Sequence, residues 1–152
     1  MSGVTLYRPV GTAELALIEA SGWKEFPPRL IDQPIFYPVT NEGYARQIAR
    51  DWNAIHNEDK RGYVTRFVVR EDVAGRYDRR VVGGREHEEL WVPAEELPEF
   101  NRAIVGRIEV VAAYGPGPLP DGVRSRGARY VELRHVRRAN SPRDLVGLVE
   151  LW

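Results

Sequence analysis

Apolar positions recur along this chain with either a two-residue or a helical period, and each switch between the two predicts an element. Val4 to Val10 reads as a first strand. Thr12 is placed as the N-cap of a helix with Glu14 in its first turn, Leu15 and Ile18 on its apolar face, and Gly22 as its stop. Phe26-Pro27-Pro28-Arg29 resists both regular structures, and Ile35-Phe36-Tyr37-Pro38 reads as a short strand. Asn41 caps a second predicted helix in which Tyr44, Ala45, Ile48, Ala49 and Trp52 share a face. Ile55 to Gly62 is polar and loop-like, and Tyr63 to Val69 alternates as a half-buried strand. Pro93 opens a short helix over Ala94 to Asn101, and Ile104 to Ala113 is the longest strand pattern.

Beyond that strand the pattern changes. Tyr114 to Gly122 is a cluster of glycine and proline, so residues 1–114 read as the core and 115–152 as a C-terminal extension packing on the same domain. The extension is rich in arginine (Arg124, Arg126, Arg129, Arg134, Arg137, Arg138 and Arg143), with one more predicted strand at Tyr130 to Val136 and an apolar end from Leu145 to Trp152. No internal repeat is visible. Strands with a few early helices in this order imply an α+β fold.

Composition narrows the function classes. At 152 residues with 43% hydrophobic content, the chain is one domain by size and long enough to bury a core. Basic and acidic residues balance at 22 each, so no overall field draws it to nucleic acid or an anionic membrane. The absence of cysteine excludes a disulfide framework and thiol chemistry. Neither an apolar leader nor a run approaching the roughly 20 apolar residues of a membrane span is present, and a cytoplasmic location is the expectation.

The densest candidate chemistry is Glu86-His87-Glu88-Glu89-Leu90-Trp91-Val92-Pro93. Carboxylates crowd the polar side of a β-prone segment, an arrangement that is unfavourable unless water, a cation or a reaction uses them. HExxH, GxSxG and P-loop patterns are all missing. His56 and His135 have no partners at metal-ligand spacing, so no metal site is expected.

Three separated segments together resemble the ADP-ribosyltransferase superfamily: Leu6-Tyr7-Arg8 before a helix, Ile35-Phe36-Tyr37 before a helix, and Glu89-Leu90-Trp91-Val92-Pro93 before the last long strand. The resemblance spans roughly Leu6 to Val110 and implies a split two-sheet core with a few short helices that binds NAD, as substrate, between its sheets. Arg8 matches the first-strand arginine that grips the NAD phosphates and ribose, a task suited to a planar guanidinium. Tyr37 falls where a side chain stacks on the nicotinamide. Glu89 matches the catalytic glutamate that stabilises developing positive charge at the glycosidic carbon, and His87 stands where a side chain assists the acceptor. The implied activity is ADP-ribosyl transfer or NAD hydrolysis, with an unidentified protein or nucleic acid as acceptor.

The chain departs from the family in one respect. An arginine on the first strand usually accompanies a Ser-Thr-Ser second motif, whereas a tyrosine in that motif usually accompanies a first-strand histidine; Arg8 with Tyr37 is a hybrid. A binding module that retains the fold without the activity is the alternative, for a nucleotide, protein or RNA partner, the last through the arginine-rich extension. Plainer readings stand beside these. Arg8 pairs with a surface carboxylate, Glu86, Glu88 and Glu89 form a solvated strand edge, and Tyr37, Tyr44 and Trp91 are packing residues.

Overall fold

The computed structural model describes residues 2–81, 84 and 87–116 and, for the backbone only, 130–131. Strand β1 (Gly3–Val10) leads into helix α1 (Thr12–Ala20), and a long irregular stretch follows before β2 (Ile35–Phe36). Helix α2 (Glu42–Ile48) runs into a π-helical turn (Ala49–Asn53) and a last short turn, α3 (Ala54–His56). Strand β3 (Gly62–Arg70), α4 (Glu71–Ala74), β4 (Asp78–Val81) and β5 (Glu88–Pro93) come next. A 3₁₀ turn (Ala94–Glu96), α5 (Leu97–Arg102), β6 (Ile104–Tyr114) and β7 (Tyr130–Val131) complete the described chain.

The architecture is α+β with a divided sheet. One sheet has the order β1-β3-β6-β7, antiparallel except for the β6-β7 pair, and the other has the order β2-β5-β4, antiparallel throughout. Among the described residues, Val39 bridges the two. It exchanges both backbone hydrogen bonds with Tyr7, at 2.8 and 2.7 Å, and pairs on its other side with Glu89. Its neighbours complete that second edge, Thr40 N–H donating to Glu88 O and Leu90 N–H to Pro38 O. A strand one residue wide is what a proline-flanked segment can supply, since Pro38 lacks an N–H for a continuous ladder.

Two apolar clusters cover the faces of this sheet. On one side Phe26, Phe36, Phe67 and Phe100 pack tilted or edge to face at centroid separations from 4.8 to 6.2 Å, joined by Leu6, Leu90 and Val92. On the other side Tyr37, Val39, Tyr44, Ile48 and Val64 pack with the partly buried Tyr7 and Trp91. Because side chains alternate along a strand, Arg8 falls on the phenylalanine side with Leu6 and Val10. Glu89 falls on the tyrosine side with Trp91, opposite Leu90 and Val92.

Several local expectations are corrected. Gly11, not Thr12, is the N-cap of α1; the Thr12 hydroxyl is turned away to donate to Asp59. Asn41 caps α2 as expected, its side chain accepting from Tyr44 N–H at 3.0 Å. The helix it starts does not keep its register, however. The π-helical turn inserts an extra residue, and Trp52 becomes partly exposed, stacking on His56 at 3.8 Å. Gly62 permits this, because a Cβ there would collide with the Ala49 carbonyl oxygen. The helical path also continues to His56, into the segment expected as loop, and α4 and β4 are elements the pattern did not announce. Strand β5 lies in the middle of its sheet, so its carboxylates are not a solvated edge. Glu86, the arginine-rich residues Arg124 to Arg143 and the apolar end from Leu145 lie outside the described residues.

Candidate functional site

The seam made by Val39 lies between two of the buried charged side chains, Arg8 and Glu89. Among the described residues, Arg8, Asp51, Asn53, Thr65 and Glu89 are the buried polar and charged side chains, and Arg8 and Glu89 lie in the strands flanking the seam. Buried charge is unfavourable without partners, so the partners define what each group can do.

Arg8 is 1% exposed and held by a two-point ion pair, Nε to Glu14 Oε2 at 2.7 Å and Nη2 to Glu14 Oε1 at 2.9 Å. Its Nη1 reaches the Tyr37 carbonyl at 3.5 Å, and the guanidinium lies 4.7 Å from the Phe36 ring centroid. The pair follows from sequence position, because β1 turns at Gly11 straight into α1, bringing the helix's first turn back over the strand. The carboxylate pairing expected for an isolated arginine is therefore present, with the guanidinium buried and the Glu14 side chain 21% exposed.

Glu89 is fully buried, and each carboxylate oxygen accepts one hydrogen bond: Oε2 from the Tyr44 hydroxyl at 3.2 Å, Oε1 from Trp91 Nε1 at 3.1 Å. Burial pushes its pKa above the usual carboxylate range, and the two hydrogen bonds only partly oppose the shift. Burial likewise raises the Tyr44 hydroxyl, reinforced by the negative charge of Glu89. Tyr37 is raised by burial first and then by Glu89, and it meets Trp91 edge-on at 5.4 Å.

His87 lies just before β5 with its ring stacked on Tyr44 at 4.4 Å. Its Nδ1 accepts from Gly84 N–H at 3.3 Å, which leaves Nε2 to carry the proton and donate to Gln47 Oε1 at 3.1 Å. For His87 to act as a base at Nδ1, the Gly84 contact has to open.

The four predicted residues therefore form one connected set with unequal roles. Tyr44 touches both Glu89 and His87, and Trp91 links Glu89 to Tyr37. Arg8 joins through the Tyr37 carbonyl, from the phenylalanine side of the sheet. Residues missed from the sequence complete the site. Glu14 holds Arg8, while Tyr44 and Trp91 hold Glu89. Arg80 stacks over Trp91 at 3.9 Å. Arg29 has its pKa lowered to about 10, by burial first and then by the positive charge of Arg8 beside it. The Trp91 contact was signalled by its spacing of two from Glu89 on a strand; the Arg29 and Arg80 placements had no local signal.

In chemical terms the site offers guanidinium groups, aromatic faces and one fixed carboxylate around a seam between sheets. Among the described residues, no group of three His, Asp or Glu side chains is gathered to hold a metal. No helix among them is long and apolar enough to cross a membrane. Compared with known proteins, the chain matches no family model, no curated protein and no solved structure.

Proposed function

We propose that the chain binds NAD at the seam and transfers its ADP-ribosyl group, or hydrolyses it, with Glu89 as the catalytic carboxylate. The observation that carries this reading is the convergence on Tyr37: its carbonyl meets Arg8, and its ring meets Trp91, which holds Glu89. An arginine for phosphate oxygens, aromatic rings for a flat base and a positioned anion for an oxocarbenium-like transition state are the parts this chemistry requires. Two pre-set donors, from Tyr44 and Trp91, fix the Glu89 carboxylate before substrate arrives, which favours transition-state stabilisation over reorganisation. Arg8 would have to exchange Glu14 for a phosphate, an exchange of one anion for another. His87 would assist the acceptor, which is an unidentified protein or nucleic acid.

A second reading has its own support. Arg8 is 1% exposed and Glu89 is fully buried, so the closed site suits a binding module that has the fold without the turnover. Nicotinamide release separates the two. Wild-type protein incubated with NAD should release nicotinamide, and Glu89→Gln should release none while keeping its NAD affinity. Equal release from the variant would remove Glu89 from the chemistry; NAD binding without release by either protein would favour the inactive module.

A further inference from the structure

A second polar site lies beside the first turn of α1. An open cleft of about 780 Å³ separates the first turn of α1 from the chain between Asn53 and Asp59. Its walls follow from close backbone approaches. A Cβ on Gly11 would come within 2.9 Å of Asn57 Nδ2, and Gly62 lets β3 lie against the π-helical turn that ends at Asn53. π-helical turns are uncommon and recur at functional sites.

The chemistry of the lining is one-sided. Glu14, Glu58 and Asp59 all face the cleft, and among the described residues that line it none is basic. Asn53 also lines the cleft. It is 7% exposed, and its Oδ1 has no hydrogen-bond partner, although buried polar atoms are nearly always paired. An anion is a poor fit. The partial positive charge at the start of α1 is already answered by Glu14 in its first turn and by Asp59, which accepts from the Thr12 hydroxyl. The other Asp59 oxygen accepts from Arg61 N–H at 3.1 Å, so that carboxylate is oriented rather than free to turn away. The partner that satisfies a set of acceptors with net negative charge is a multi-donor cation.

We propose that this cleft is a docking site for the cationic side chain of a basic partner peptide, held by Glu58, Asp59 and the orphaned Asn53 Oδ1. No bond is made or broken there. The site adjoins the seam through Glu14, which lines the cleft and pairs with Arg8, but its occupancy does not depend on NAD.

The test is a titration of the isotope-labelled full chain with acetyl-Gly-Arg-Gly-amide, followed by backbone amide shifts. The uncharged citrulline peptide of the same shape serves as control. Saturable shifts should appear at Thr12 to Glu14, Asn53 and Asn57 to Asp59, and the citrulline peptide should give none. Glu58→Gln combined with Asp59→Asn should weaken binding about tenfold, the scale of one lost charge-assisted hydrogen bond. Glu58→Arg, at an exposed position that leaves the Asp59 contacts intact, should do the same if the double variant folds poorly. Absence of saturable shifts, shifts confined to other regions, equal binding of the citrulline peptide, or unchanged affinity in Glu58→Arg would each overturn the proposal.

Discussion

The phenylalanine cluster and the seam are both buried, yet they are stabilised in opposite ways. In the cluster, Phe67 meets Phe26 and Phe100, and Phe36 meets Phe26 and Phe100, so each ring is supported from more than one side by non-directional packing. At the seam, Arg8 depends on Glu14, and Glu89 depends on two donors, Tyr44 and Trp91. Apolar contacts there would have served stability equally well or better. The cluster holds the sheets in place by packing, whereas the seam keeps buried charges that packing alone does not require, which is the ground for proposing a site there.

Substitutions should separate the two regions by size and sign. The largest loss is expected in the cluster: Phe67→Ala should destabilise by about 3–5 kcal/mol in denaturant unfolding, with a cavity left among rings that cannot collapse. At the seam, Glu14→Gln should lower stability by about 2 kcal/mol by leaving the Arg8 charge poorly compensated. The same variant should bind NAD more tightly, because the phosphate no longer competes with a carboxylate. A Glu14→Gln protein that is weaker in both respects would contradict the exchange.

Glu89→Gln is expected to move stability the other way, by about 1 kcal/mol, because it removes a carboxylate that burial makes unfavourable to ionise. The sign follows from linkage. The pKa of Glu89 is raised in the folded protein, so the wild type loses stability as pH climbs through the ordinary carboxyl range toward that higher value. Thermal unfolding should therefore show the variant ahead at pH 7 and the gap closing as the pH falls below the unfolded-state pKa. A gap independent of pH would mean that the charge is not the cause. The smallest effect is expected outside both regions. Arg66→Ala breaks an ion pair to Glu109 whose partners are 43% and 52% exposed, and the change should stay within about 0.5 kcal/mol.

The strands were legible because Tyr63 to Val69 alternates and Val4 to Val10 and Ile104 to Ala113 are rich in β-prone residues, and each lies within the strand observed. Asn41 was legible as a cap because capping is a contact over three residues. Thr12 was misassigned because its hydroxyl found Asp59, 47 residues away, in place of its own helix. The π-helical turn was invisible because it answers a close approach by β3, and periodicity alone reports only the regular helix. At the site, the resemblance picked out Arg8, Tyr37, His87 and Glu89, and the fold connects them. Their partners were legible only where spacing was local, as for Trp91; Tyr44 reaches Glu89 across 45 positions and Arg8 reaches Tyr37 across 29.

The most direct test of the seam as a nucleotide site is calorimetric titration of the full chain with NAD, run on wild type and on Arg8→Ala. Saturable one-to-one binding by the wild type is expected, with at least about a tenfold loss in a folded Arg8→Ala protein, since a guanidinium–phosphate contact is removed. Absence of binding by the wild type, or equal affinity in the two proteins, would contradict a nucleotide site at the seam.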